Sequence, residues 1–200
     1  VVSILKSISL DARSTEAILH SARAIANLSS IEYGRSKIVE SGWVGQLEHW
    51  ISSECQRSVT FQARMPETFL QSKKTFLSGA TTELEEELRT RNLTAISLVA
   101  LGNLASTESR VADHIASSTI LRDIVDTLAK DPNIHLRQQF SRVLANLAAH
   151  NNPVINKRIQ TKVGLDGFKV ILRGSDPSVQ FNIARAITAM VCDIPFAKLV

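Results

Sequence analysis

The chain has 200 residues, of which 44% are hydrophobic, 21% charged and only 5% aromatic, and its net charge is +4. It is richer in Ala and Leu than in strand formers, the make-up of ordinary folded protein with a preference for helix. Cys55 and Cys192 lie far apart and form no CxxC, so the sequence suggests neither a disulfide framework nor a zinc site. The longest uncharged run around the middle, 92–107, is 16 residues with Asn, Thr and Ser among them, too short and too polar to span a bilayer. No signal peptide is visible, so a cytoplasmic (intracellular) setting is expected.

The opening "VVSILKSISLD" reads as the closing helix of a preceding unit. It is followed by "ARAIANLSS" at 22–30, a helix with Asn before Leu and among alanines. Next come two shorter segments, "GRSKIVES" and "GWVGQLEHWI", in which Ile38/Val39 and Val44/Leu47/Ile51 recur at helical spacing. Trp43 and Trp50 stand seven apart, on one helix face, which fits packing between units.

Residues 53–82 break this order. They carry Phe61, Met65, Phe69, Phe76 and Leu77, too apolar for a disordered linker, with a helix breaker at Pro66 and an end at Gly79. The segment reads as an insertion that packs back on the body of the protein or covers a groove. Its removal is expected to leave a cooperative fold, because loop closure depends only weakly on length. A longer helix follows from about 83 to 105, with Thr82/Glu85 as a capping box and Glu85/Arg89 and Glu87/Arg91 as i,i+4 pairs; it ends in "LVALGNLAS".

Two short helices, "ESRVADHIASS" and "TILRDIVDTLA" with Ile120/Ile124/Leu128 on one face, lead to Asp131-Pro132 and a third rhyme, "SRVLANLAAH" at 141–150. An Asp before a Pro marks a helix start, since the carboxylate caps and the proline lacks only an N–H that the first turn leaves unused. "NPVINKRIQTKVG", "LDGFKVILRG", Asp176-Pro177 and "ARAITAMVC" repeat the sequence of elements once more. Asn103 and Asn146 are 43 positions apart, and another 43 lands on Ala189, where Ala-Met replaces Asn-Leu. A period in the forties belongs to helical solenoids. The wider gap from Asn27 to Asn103 is this period plus the insertion.

An Asn-Leu helix, then "I-V-x-x-G", "G-x-V-x-x-L" and Asp-Pro resembles the armadillo repeat and, through its looser units, the HEAT repeat. The resemblance covers nearly the whole chain outside 53–81. It implies an all-α, right-handed α-solenoid of armadillo/HEAT-like three-helix repeats: one domain over 1–200, about four repeats, with 53–82 inserted. Apolar residues at both ends lead us to expect a fragment of a longer array, with further repeats or domains on either side.

In armadillo proteins the third helix lines a concave groove, where Asn grips an extended peptide. Asn27, Asn103 and Asn146 match that position, and an amide can both donate to and accept from one peptide strand. The other reading is that these amides satisfy groups of the neighbouring repeat or face water. Four residues earlier stand Arg23, Val99, Arg142 and Arg185, and seven earlier His20, Ile96, Gln139 and Asn182. Importin-like grooves have Trp where this row has Arg, so Asn27, Asn103, Asn146, Arg23, Arg142, Arg185, Gln139 and Asn182 together predict a surface for an acidic extended segment. On this expectation Arg142→Ala and Asn146→Ala each cost binding and little stability.

Three other functions have less support in the residues. Residues 22–44 are similar to the armadillo-like region ahead of the hydrolase domain in mitochondrial serine hydrolases of phospholipid remodelling, which would make the chain an enzyme's accessory region and mitochondrial. The last quarter holds 7 Lys and Arg against 3 Asp and Glu, but Lys157, Arg158, Lys162, Lys169 and Arg173 lack interleaved aromatics, so nucleic acid is not the expected partner. His20, His49, His114, His135 and His150 show no metal-ligand spacing, and there is no phosphate loop, nucleophile elbow or other catalytic constellation. No enzyme activity, metal or cofactor is expected.

Overall fold

The computed structural model describes residues 15–64, 81–130 and 133–192, together with Val2 and Leu5. Among these residues all regular structure is helical: α1 (Thr15–Leu28), α2 (Glu32–Glu40), α3 (Trp43–Arg64), α4 (Thr81–Ala105), α5 (Ser109–Ser117), α6 (Ile120–Lys130), α7 (Ile134–Ala148), α8 (Pro153–Lys162), α9 (Gly164–Leu172) and α10 (Pro177–Cys192).

The apolar spacing read from the sequence is the spacing of the core. Ile38, Val44, Leu47, Ile51, Ile120, Ile124 and Leu128 are buried, each on the face its helix turns inward. The helices sort into three layers. The Asn-bearing helices α1, α4, α7 and α10 pack each on the next and form a ladder. Behind them α3, α6 and α9 form a second row, and α5 and α8 pair in a third row along one edge; α2, packed on α1, α3 and α4, holds the corresponding place in the chain order of its unit. Each unit is thus a short helix, a middle helix and a ladder helix: α2-α3-α4, α5-α6-α7 and α8-α9-α10, with α1 the ladder helix ahead of them. One hydrophobic cluster runs through all of them, as it must when no unit can cover its own apolar face.

The joints follow from local chemistry. α2 ends where Gly42 takes φ 69° and its N–H returns to the Val39 carbonyl, and Gly164 takes φ 61° at the corresponding place after α8. Left-handed backbone is open to Gly without a Cβ penalty, so the chain can turn sharply into the middle helix there. Trp43 and Trp50 meet edge to face at 5.6 Å, and the Trp43 indole donates to the Val2 carbonyl at 3.1 Å. Asp176 caps α10: its Oδ1 accepts from the Ser178 and Val179 N–H groups at 2.9 and 3.0 Å. Asp131 and Pro132 lie outside the described residues; α7 begins at Ile134, and its cap is Asn133, whose Oδ1 accepts from the Leu136 N–H at 3.1 Å.

α3 continues through the first part of the expected insertion to Arg64, and α4 already includes Thr81 and Thr82. The side chains of Phe61, Thr82, Glu85, Glu87, Arg89 and Arg91, and all of Met65, Phe69, Phe76, Leu77 and Gly79, lie outside what is described.

Candidate functional site

The ladder brings the sequence-predicted residues together in rows. Its helices carry Asn27, Asn103, Asn146 and Ala189 at one level; Arg23, Val99, Arg142 and Arg185 one turn earlier; and His20, Ile96, Gln139 and Asn182 about two turns earlier. Asn27, Arg23 and Arg185 are exposed; Asn103, Asn146, Arg142, Gln139 and Asn182 are half-buried. None of these eight is fully buried, so all of them belong to the surface of the ladder or its seams.

The amides, however, are largely engaged across the seams. The Asn146 amide donates to the Gly102 carbonyl at 2.7 Å, and that of Asn103 to the Ser29 hydroxyl at 2.9 Å. The Arg142 guanidinium donates to the Asn103 side-chain oxygen. Asn182 donates to the Ser141 hydroxyl at 3.3 Å, and His150 to the Ala105 carbonyl at 2.6 Å. For Asn103 and Asn146 these are the contacts of the neighbouring-repeat reading: carbonyl and hydroxyl groups at a tightly packed seam need a donor, and the amide of the next helix supplies it. Asn27 has the same sequence context and remains exposed. Gln139 keeps a buried side-chain oxygen without a hydrogen-bond partner among the described residues.

The arginines differ from one another. Arg185 lies over the Phe181 ring, 5.9 Å from its centroid and one helical turn away. Neither it nor Arg23 has a carboxylate partner among the described residues. Over 17–28, 92–105, 134–148 and 177–192 the ladder helices contain four arginines and no Asp or Glu. The fourth, Arg137, is buried and donates to the Arg173 carbonyl at the end of α9, leaving Arg23, Arg142 and Arg185 on the ladder surface.

The basic last quarter is mostly absorbed by the fold. Arg158 reaches across to Asp113, 2.5 Å from its carboxylate. The Lys162 ammonium donates to the Ser117 and Ser118 carbonyls and so caps the end of α5. Lys169 pairs with Asp166 at 3.0 Å. Between these edges Glu48 of α3 lies 3.4 Å from His114 of α5, and burial pushes its carboxyl up despite that neighbour. Among the described residues no group of three or more His, Cys, Asp or Glu is placed to hold a metal ion, and no helix is long and apolar enough to cross a membrane.

Two features were not read from the residues: the partners of the amides, and a depression of about 740 Å³ beside α10, lined by Ala145, Ala149, Asn151, Phe181, Ala184, Arg185, Thr188 and Ala189. Its signal was present in the fourth repeat, where Ala189 stands in the Asn position.

No protein-family description and no curated protein matches the chain, so the similarity to mitochondrial serine hydrolases gains no support. Solved structures do match. Two engineered proteins determined by a structural genomics consortium align over 94% of this chain with a TM-score of 0.62, at 20% and 21% identity; the chain spans 62% and 37% of their lengths. Another match, at 16% identity, 94% of this chain, 81% of the other and a TM-score of 0.49, is described as computationally designed armadillo repeat proteins for modular peptide recognition. At such identities the likeness to the two engineered proteins is one of fold, and it agrees with the stacking described above: the chain is an all-α solenoid of stacked helical repeats, the architecture that the armadillo-like pattern of its sequence implies.

Proposed function

We propose that this chain is a non-catalytic interaction scaffold whose ladder face binds an extended, acidic segment of a partner protein. The observation that carries the reading is the charge of the ladder: three arginines reach its surface, and its described side chains beyond Glu16 include no carboxylate. Guanidinium groups in such a row favour carboxylate or phosphate ligands and repel basic ones. The amides at the seams hold the row in register, and Asn27, exposed, is the one of the three best placed to meet a peptide backbone.

Further repeats belong to the same proposal. On α10, Gln180, Ala184, Ile187 and Val191 form an exposed stripe, whereas the corresponding Arg137, Ser141, Leu144 and Ala148 of α7 are buried. In α7 that stripe is covered by α10, so a next ladder helix is the fitting cover for its counterpart.

The test is titration of the protein with labelled unstructured peptides that are Glu-rich, Lys-rich or uncharged. The acidic peptide should bind, more weakly as salt rises, and Arg23→Glu with Arg185→Glu should reverse the preference. Equal binding of acidic and basic peptides, or an acidic preference untouched by the double variant, would sink the reading.

A further inference from the structure

We infer that the depression between α7 and α10 is the specificity pocket of the ladder face, seating an apolar side chain of the bound segment while Arg185 pairs with a carboxylate next to it. This rests on the groove reading above and adds what the groove selects.

The argument begins with the register. At the two preceding seams an Asn amide crosses from one ladder helix to the one before it, from Asn103 to Ser29 and from Asn146 to Gly102. The third seam has Ala189 at this level, so its one crossing amide among the described residues is that of Asn182, about two turns earlier, which donates to Ser141. Most of the side chains that line the depression are small: Ala145 and Ala149 at the end of α7, and Ala184, Thr188 and Ala189 on α10. The resulting space of about 740 Å³ is lined chiefly by carbon and has few polar groups, the make-up of sites that take apolar groups and orient them with a few convergent polar contacts.

The rim supplies the polar contact. Phe181 is 64% exposed, an unusual state for a large aromatic side chain, and it holds the Arg185 guanidinium over its ring at the mouth of the pocket. That cation has no carboxylate partner among the described residues, so its complement is anionic and comes from outside. An extended segment places successive side chains on opposite faces. One apolar side chain can therefore enter the pocket while a neighbouring carboxylate meets Arg185 at the rim.

The experiment uses short acidic peptides with one Leu moved along the sequence, each paired with a control that has Ser in its place. Binding to the whole chain is read by fluorescence anisotropy. For at least one Leu position the wild type should favour Leu over Ser by about tenfold or more, as expected for burying such a side chain. Ala189→Asn, which restores the amide of the other seams, and Ala149→Phe, which fills the space from the side of α7, should each abolish the Leu preference and leave the weaker acidic binding common to both peptides. Arg185→Gln should weaken both peptides together. Thermal melts of the variants confirm that they fold; Ala189→Asn should melt no lower than wild type. If every Leu and Ser pair binds wild type alike while acidic peptides still outbind basic ones, the pocket inference is wrong and the groove reading stands. A Leu preference that survives both pocket variants also overturns it. If acidic peptides bind no better than basic ones, the groove reading fails and the pocket assignment fails with it.

Discussion

At the scale of single residues, Asn146 shows how one side chain is held between two roles. Its amide donates to Gly102 at 2.7 Å across a seam, so Asn146→Ala leaves a half-buried carbonyl without its donor and should lower stability by about 1 kcal/mol in chemical denaturation. Arg185→Ala removes an exposed side chain and should leave the denaturation midpoint nearly unchanged. Asp176 provides a second test. Hydrogen bonds from the Ser178 hydroxyl, the Val179 N–H and the Gln138 amide hold its carboxyl at about 2, below the ordinary 3.8. A carboxyl with a depressed value in the folded state binds its proton more readily when unfolded, so its contribution is complete above about 3.8 and is lost as pH falls towards 2. Asp176→Asn keeps a capping oxygen but cannot titrate, and it should flatten the acid limb of the stability profile over that window. The row positions of Asn103, Asn146 and Arg142 were legible because helical periodicity fixes which residues share a face. Their partners were not, since a bond to a residue some 40 positions away depends on the offset between two helices, which neither helix encodes alone.

For whole elements, the boundaries were legible wherever a capping residue or a left-handed Gly marks them, as at Asp176 and Gly164. They shifted where two candidates competed: α7 begins at Ile134 because Asn133 supplies the oxygen that accepts from Leu136. The packing of α1 on α2 contains a constraint that periodicity does not reveal. A Cβ on Gly34 would stand 2.0 Å from the Leu28 carbonyl oxygen. Backbone cannot yield as a flexible side chain does, so Gly34→Ala must push α2 away from α1 and should cost about 2 kcal/mol or more, measured by urea unfolding. Gly102→Ala is the control. Its added methyl would lie 3.6 Å from Val143, ordinary contact distance, and the helix should keep or gain stability.

Over the whole molecule, α7 is packed between α4 and α10, whereas α10 has a ladder neighbour on one face and an exposed stripe on the other. Stability in such arrays is a sum of unit and seam contributions, so hydrogen exchange should find the amides of α7 better protected than those of α10. Equal protection would mean that the array opens only as one body. The seam hydrogen bonds have a further consequence, which lies in their direction. Along the ladder and the α5/α8 edge the donors Asn103, Asn146, His150, Arg158, Lys162 and Asn182 sit in the later unit, and the acceptors Ser29, Gly102, Ala105, Asp113, Ser117 and Ser141 in the earlier one. At the opposite edge Arg137 and Gln138 donate the other way, to Arg173 and Asp176. The two faces of a unit are therefore different surfaces: one accepts along the ladder and donates at the opposite edge, and the other does the reverse. The array accordingly has a polarity, with two unlike ends.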